Sequence, residues 1–202
     1  MDTPINVFSD WAQNGKDEGM ERHHNESVMN MIDFACSGLS EYSFIDAGCG
    51  NGWVVRHISK DAKCNNAIGV DGSSNMINKA KRLDDKNKYF CEDLLKWIPQ
   101  SKVDIVLSME VFYYFENPGL LIEHINNNWI KSGGRLIMGV DYYQENISSH
   151  SWQKDCGISI MKLHSEKEWK VFFENAGLKD VKSWRNGQDK DWGGTLIVTG
   201  TK

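Results

Sequence analysis

The chain has 202 residues, 40% hydrophobic and 25% charged, the balance of one globular domain with room for a substantial core. Lys and Arg number 23 against 28 Asp and Glu, a formal net charge of −5; with no long basic run, this argues against a nucleic-acid partner. Cys36, Cys49, Cys64, Cys91 and Cys156 form no C-x-x-C pair, which excludes a zinc ribbon or disulfide framework and predicts reduced thiols with no bound metal.

Residues 1–24 are polar and punctuated by glycine, and predict a helical lead-in. The opening Met1-Asp2-Thr3-Pro4-Ile5 lacks a basic-then-apolar leader, and no apolar run approaches the ~20 residues that span a bilayer. The expected location is cytoplasmic, with no membrane partner. From Glu26 to Leu39, the spacing of Val28, Met31, Ile32 and Ala35 predicts a helix with one apolar face. Strands then fall over 43–47, 66–71, 87–91, 103–108, 134–141, 178–184 and 194–201, with helices over 52–60, 73–83, 117–130 and 165–175. Such alternation implies parallel strands joined by helical crossovers. The last two strands flank the polar loop Arg185–Gly193 with no helix between them, which predicts an antiparallel hairpin at a sheet edge. The irregular stretch 142–164 carries Tyr142, Tyr143, His150, Trp152, Cys156 and His164. It leaves the fifth strand at the carboxyl edge, where ligands sit in open α/β sheets, and is the expected substrate wall.

The most telling stretch is Phe44-Ile45-Asp46-Ala47-Gly48-Cys49-Gly50-Asn51-Gly52, followed by Ala67-Ile68-Gly69-Val70-Asp71. An apolar run ends in an acid, turns through three alternate glycines and enters an amphipathic segment; a second run then ends in another acid. This pattern builds a nucleoside pocket in which the second acid takes the ribose hydroxyls. Trp53 stands where a dinucleotide fingerprint has its third glycine, and no Gly-Lys-Ser/Thr follows, which excludes a Walker loop.

At these residues the chain resembles the class I S-adenosylmethionine-dependent methyltransferases, whose first motif is an acid, a spacer and G-x-G-x-G. The resemblance continues through Gly72-Ser73-Ser74-Asn75-Met76-Ile77, Tyr89-Phe90-Cys91-Glu92-Asp93-Leu94, Val103–Glu110 and Ser132–Met138. It implies a single domain over 1–202: a doubly wound, Rossmann-like α/β fold with a seven-stranded sheet and an antiparallel last strand. Residues 1–40 would be an N-terminal helical lid and 142–164 a substrate-side insertion.

The resemblance also implies site roles. Gly48, Gly50 and Gly52 would admit the methionine portion of S-adenosylmethionine, and Asp46 would orient its amino group. Asp71 would accept the ribose hydroxyls. Gly72, Ser73 and Met76 would form the turn beside the adenine, whose amino group Asp93 and Leu94 would hold. Ser108 and Met109 would pass near the sulfonium. Cys49, within the glycine turn, reads as a small filler rather than a thiol nucleophile. Trp11, Met20 and His24 are the expected inward residues of the lid; a surface helix with incidental histidines is the alternative. The catalytic residue is not legible. His150, Tyr114 and Tyr142 are candidates, although paired tyrosines (Tyr113–Tyr114, Tyr142–Tyr143) more often pack than react.

The expected activity is methyl transfer to an O or N atom of a small molecule, by a monomer or homodimer. A protein or RNA acceptor, or a donor-binding partner without turnover, remains open. Pro4, Pro99 and Pro118 are isolated, so the Asn/Asp-Pro-Pro-Tyr signature of adenine and glutamine methylation is absent.

Overall fold

Along β1 (Tyr42–Ala47) every residue is buried, a run that only a strand covered on both faces sustains. Successive side chains alternate between two cores. Ile45, Ala47, Ile68, Val70 and Val106 enter one, while Phe44, Ala67, Ile105 and Leu107 enter the other. The computed structural model describes residues 1–202. After the first strand come α3 (Trp53–Ile58), β2 (Cys64–Asp71), α4 (Ser74–Leu83), β3 (Lys88–Cys91), β4 (Val103–Met109), α5 (Pro118–Asn128) and β5 (Ile130–Val140). The short α6 (Trp152–Asp155), α7 (Glu166–Asn175), β6 (Lys179–Asn186) and β7 (Thr195–Thr201) complete the chain. Before the sheet stand α1 (Pro4–Asn14) and α2 (Glu18–Cys36).

The seven strands run in the order β3-β2-β1-β4-β5-β7-β6. The first five are parallel neighbours, and β7 is antiparallel to both β5 and β6. Apolar faces of α2, α3 and α4 cover one side of the sheet; those of α5 and α7 cover the other. The chain is therefore a doubly wound, Rossmann-like α/β sheet. Its order reverses between β1 and β4, the switch point at which such sheets bind ligands.

Two elements differ from the sequence expectation. The second helix begins at Glu18 rather than Glu26. Its inward face continues back from Val28 through His24 and Met20 at i, i+4 spacing, and Glu18 and Glu21 occupy its first turn, where acids suit the helix dipole. β5 starts at Ile130, within the predicted helix, because α5 stops at Asn128 and Ile130 pairs with Val103 before the register shifts.

The lead-in is tied to the sheet. Ser9 Oγ lies 2.7 Å from Ser73 Oγ at the start of α4. The fully buried Asp17 accepts from Asn51 Nδ2 at 2.9 Å and from Lys79 Nζ at 2.8 Å. Asp2 bridges to the 142–164 segment: its N–H donates to Gly157 O at 2.7 Å and its carbonyl accepts from Ser159 at 2.8 Å. Asp17→Ala removes two charge-assisted bonds and is expected to cost about 1.5–3 kcal/mol. Limited proteolysis should then cut within residues 1–17 faster than in the parent; unchanged cleavage would show that Asp17 does not hold the lead-in.

No helix is long and apolar enough to cross a membrane.

Candidate functional site

At the carboxyl edge of the sheet, β1 ends and the chain turns through Gly48, Gly50 and Gly52, all left-handed at φ 81, 52 and 78. The three glycines serve different neighbours. A Cβ on Gly48 would fall 2.3 Å from Val111 Cγ2, and one on Gly52 would fall 2.5 Å from Tyr89 Cε1. Those two are small so that protein can pack against the turn. A Cβ on Gly50 would meet only the tips of Met20 and Met76, at ordinary contact distances of 3.7 and 3.9 Å. Of the three glycines expected to make room for a ligand, Gly48 and Gly50 line the space that opens at this turn and Gly52 does not.

That space is a cavity of about 460 Å³, within the range of small-molecule sites. Of the predicted residues, Gly48, Gly50, Asp71, Gly72, Ser73, Met76, Asp93, Leu94, Met109, Met20 and Tyr114 line it. Thr3, Pro4, Ile5, Phe8, Cys91, Glu92, Glu110, Val111 and Phe115 complete the wall.

Asp71 ends β2 and is held from two sides. Its Oδ2 accepts the Gly50 N–H at 2.9 Å and its Oδ1 the Ser73 N–H at 2.7 Å. Each oxygen keeps a lone pair for a ligand. Burial raises the Asp71 pKa, while the two N–H donors oppose that shift. Asp46, 3% exposed, lies near enough to feel Asp71; burial and that charge push its pKa up to about 8. Ser73 caps α4, its Oγ accepting the Met76 N–H at 3.3 Å, which fixes Met76 in the wall. Asp93 accepts from its own turn at Leu95 N–H, 3.0 Å, and pairs with Lys96 at 3.1 Å.

Other expected residues lie elsewhere. Asp46 sits beneath the turn rather than in the wall. Ser108 donates to Ala47 O at 2.7 Å and so ties β4 to β1. The Cys49 sulfur packs toward Gly69, and burial drives its thiol pKa well above the ordinary range, the state of a filler. Trp11 packs edge-on against Phe8, and it is Phe8 that reaches the cavity. His24 faces Asp141, Nδ1 to Oδ2 3.5 Å. Tyr142 is in the core against Tyr113, and His150 Nε2 lies 3.1 Å from Gln144 O on a turn. No residue of 142–164 lines the cavity. That segment instead anchors the lead-in through Asp2, and α1 and the turn after β4 line the cavity. Glu110, an acid one residue beyond an apolar strand at the carboxyl edge, lines the cavity and has no role assigned in the sequence analysis.

A glycine turn at the switch point, an acid ending the next strand and a capped helix behind it define a nucleoside-binding α/β site. Residues 7–183 match the family described as Methyltransferase domain, and the chain belongs to this family of S-adenosylmethionine-dependent methyltransferases. Over 136 residues, 67% of the chain and 48% of the relative, it is 30% identical to a protein of Invertebrate iridescent virus 6 named as methyltransferase 235L. The chain spans about half the length of the curated relatives it matches. Among solved structures it resembles a chain of the complex between the Haloferax volcanii Trm112 methyltransferase activator and a methyltransferase, with a TM-score of 0.83, 28% identity and 96% of each chain covered. Magnesium protoporphyrin IX methyltransferase of Synechocystis PCC 6803, with bound S-adenosyl-L-homocysteine, shares the fold at a TM-score of 0.71 and 15% identity, over 98% of this chain and 99% of that one.

Proposed function

We propose that the chain transfers a methyl group from S-adenosylmethionine to a small-molecule acceptor. The observation that carries this reading is the Asp71 carboxylate at the cavity wall, braced by Gly50 and Ser73 N–H groups with lone pairs to spare. A ribose diol fits that acceptor pair. Gly50 supplies a cradle that a side chain would fill. Asp46 and Asp71 form a carboxylate pair for which the surrounding wall supplies no cation, and a donor bearing ammonium and sulfonium charge provides one. Asp93 and the buried Leu94 would hold the adenine edge, with Met76 against its face.

The sulfonium supplies an already activated methyl group whose leaving group is neutral. The work left to the chain is alignment and exclusion of water. Ile5 and Phe8 from α1, with Val111 and Phe115 after β4, provide an apolar surround for that purpose. The test is a methyl-transfer screen over amines, phenols, alcohols and carboxylates, reading S-adenosylhomocysteine formation. Turnover on a small molecule by the chain alone supports the proposal; turnover only on protein or RNA would overturn it.

The likeness to the Haloferax volcanii chain favours a second reading, in which an activator protein accompanies this chain. Gel filtration with a Trm112-type protein tests it: co-elution supports the pairing, and separate elution opposes it.

A further inference from the structure

One part of the cavity wall lies outside the contacts proposed for the donor. Glu110 follows β4 in the left-handed region at φ 60 and lines the cavity beside Met109 and Tyr114. One carboxylate oxygen accepts the Asp141 N–H, and the other accepts the Tyr113 hydroxyl at 2.6 Å. The Tyr113 and Tyr114 hydroxyls are 3.2 Å apart. Behind them Asp141, its side chain 7% exposed, faces His24 from α2. Asp141 Oδ1 and His24 Nδ1 are both buried without a completed hydrogen bond.

Two features indicate what this arrangement receives. Glu110 and Asp141 are neighbouring carboxylates with no lysine or arginine beside them. Burial and the Asp141 charge push the Glu110 pKa well above the carboxylate range, and burial moves Asp141 up to about 6. Burial also lowers His24 to about 4, so its imidazole is neutral and supplies no positive charge near pH 7. The cavity wall as a whole carries Asp71, Glu92, Asp93 and Glu110 and no Lys, Arg or His. A bound cation draws these acids back to their charged carboxylate form, whereas a phosphate or carboxylate would meet repulsion there.

We infer that Glu110 is the acceptor-side catalytic residue and that the acceptor is a small amine on an apolar skeleton, bound as its ammonium against the Glu110 carboxylate. This rests on the methyl-transfer reading above. An ammonium has no lone pair for attack, so a proton must leave first. The N–H proton passes to a Glu110 carboxylate oxygen. Ammonium and carboxylate become neutral amine and carboxylic acid, and the electron pair of the broken N–H bond stays on nitrogen as the nucleophile. An alcohol, far less acidic than an ammonium of pKa about 10, is a poor match for a carboxylate base. The Tyr113 hydroxyl holds the receiving oxygen in place.

The test begins with the protein alone, without donor. Phenethylamine, tryptamine, cyclohexylamine and octylamine are titrated against carboxylates of matching skeleton. At least one amine is expected to bind tenfold or more tightly than its carboxylate partner. Equal affinity throughout, or preference for the carboxylates, overturns the proposal whether or not S-adenosylhomocysteine binds. Glu110→Gln should lose at least tenfold in amine affinity while holding S-adenosylhomocysteine within about twofold, which also certifies its fold. With donor present, its kcat should fall about 10²-fold and climb with pH toward the pKa of the amine, since only free amine then reacts. Parent-like kcat and amine affinity in Glu110→Gln would refute the role. Should that variant fail to fold, the amine-against-carboxylate comparison on the parent chain still decides.

Discussion

Alanine at Asp71 is expected to weaken S-adenosylhomocysteine binding at least tenfold and to leave the sheet intact. The carboxylate would make two charge-assisted bonds to a ribose diol, each worth about 1.5–3 kcal/mol when partly desolvated, and about 1.4 kcal/mol is a factor of ten. It also braces the site, because its oxygens span the glycine turn at Gly50 and the start of α4 at Ser73. Removing it frees two N–H donors at the cavity, where water can satisfy them, so the melting temperature should change little. Calorimetry on the folded variant gives the answer directly. Unchanged affinity would remove Asp71 from ribose recognition.

The second large effect falls on Gly48. Its φ of 81 costs any L-residue about 1–2 kcal/mol, and the new Cβ would sit 2.3 Å from Val111 Cγ2 and 2.9 Å from Cγ1. Overpacking of that kind adds about 1–3 kcal/mol, so Gly48→Ala should cost about 2–5 kcal/mol in denaturant unfolding. The two causes separate in the double variant. Val111→Ala deletes both close atoms and leaves only Cβ at 3.1 Å, so Gly48→Ala with Val111→Ala should recover the packing part and retain the backbone part. A double variant as unstable as the sum of the singles would show that Val111 is not what Gly48 accommodates.

The proposed donor half is legible in sequence because backbone geometry builds it. A strand must end, the chain must turn where Cβ atoms do not fit, and a carboxylate must end the neighbouring strand; each demand selects one or two residue types at fixed spacing. That is why Gly50, Asp71, Ser73 and Met76 converge on one cavity. Strand alternation is legible for a related reason, since burial on both faces gives apolar runs such as Phe44–Ala47 with little ambiguity. The roles of Gly48 and Gly52 are less so: a small residue is required equally by a ligand and by Val111 or Tyr89. Position in three dimensions decides between them.

The proposed acceptor half draws on segments distant in sequence, and periodicity carries no sign of their meeting. Phe8 enters the cavity while Trp11, one helical turn on, packs on its edge. The aromatic stretch after β5 suggested a wall by its composition, yet Tyr142 and Tyr143 enter the core. Glu110 and Asp141 follow two adjacent parallel strands, and only their pairing in register brings the carboxylates together.

This glycine turn and acid are expected to hold S-adenosylmethionine rather than a dinucleotide. The direct measurement is a pair of calorimetric titrations of the purified chain, one with S-adenosylmethionine and one with NAD. The first should show one-to-one binding at micromolar affinity and the second no heat of binding; micromolar NAD binding with none for S-adenosylmethionine would contradict the claim.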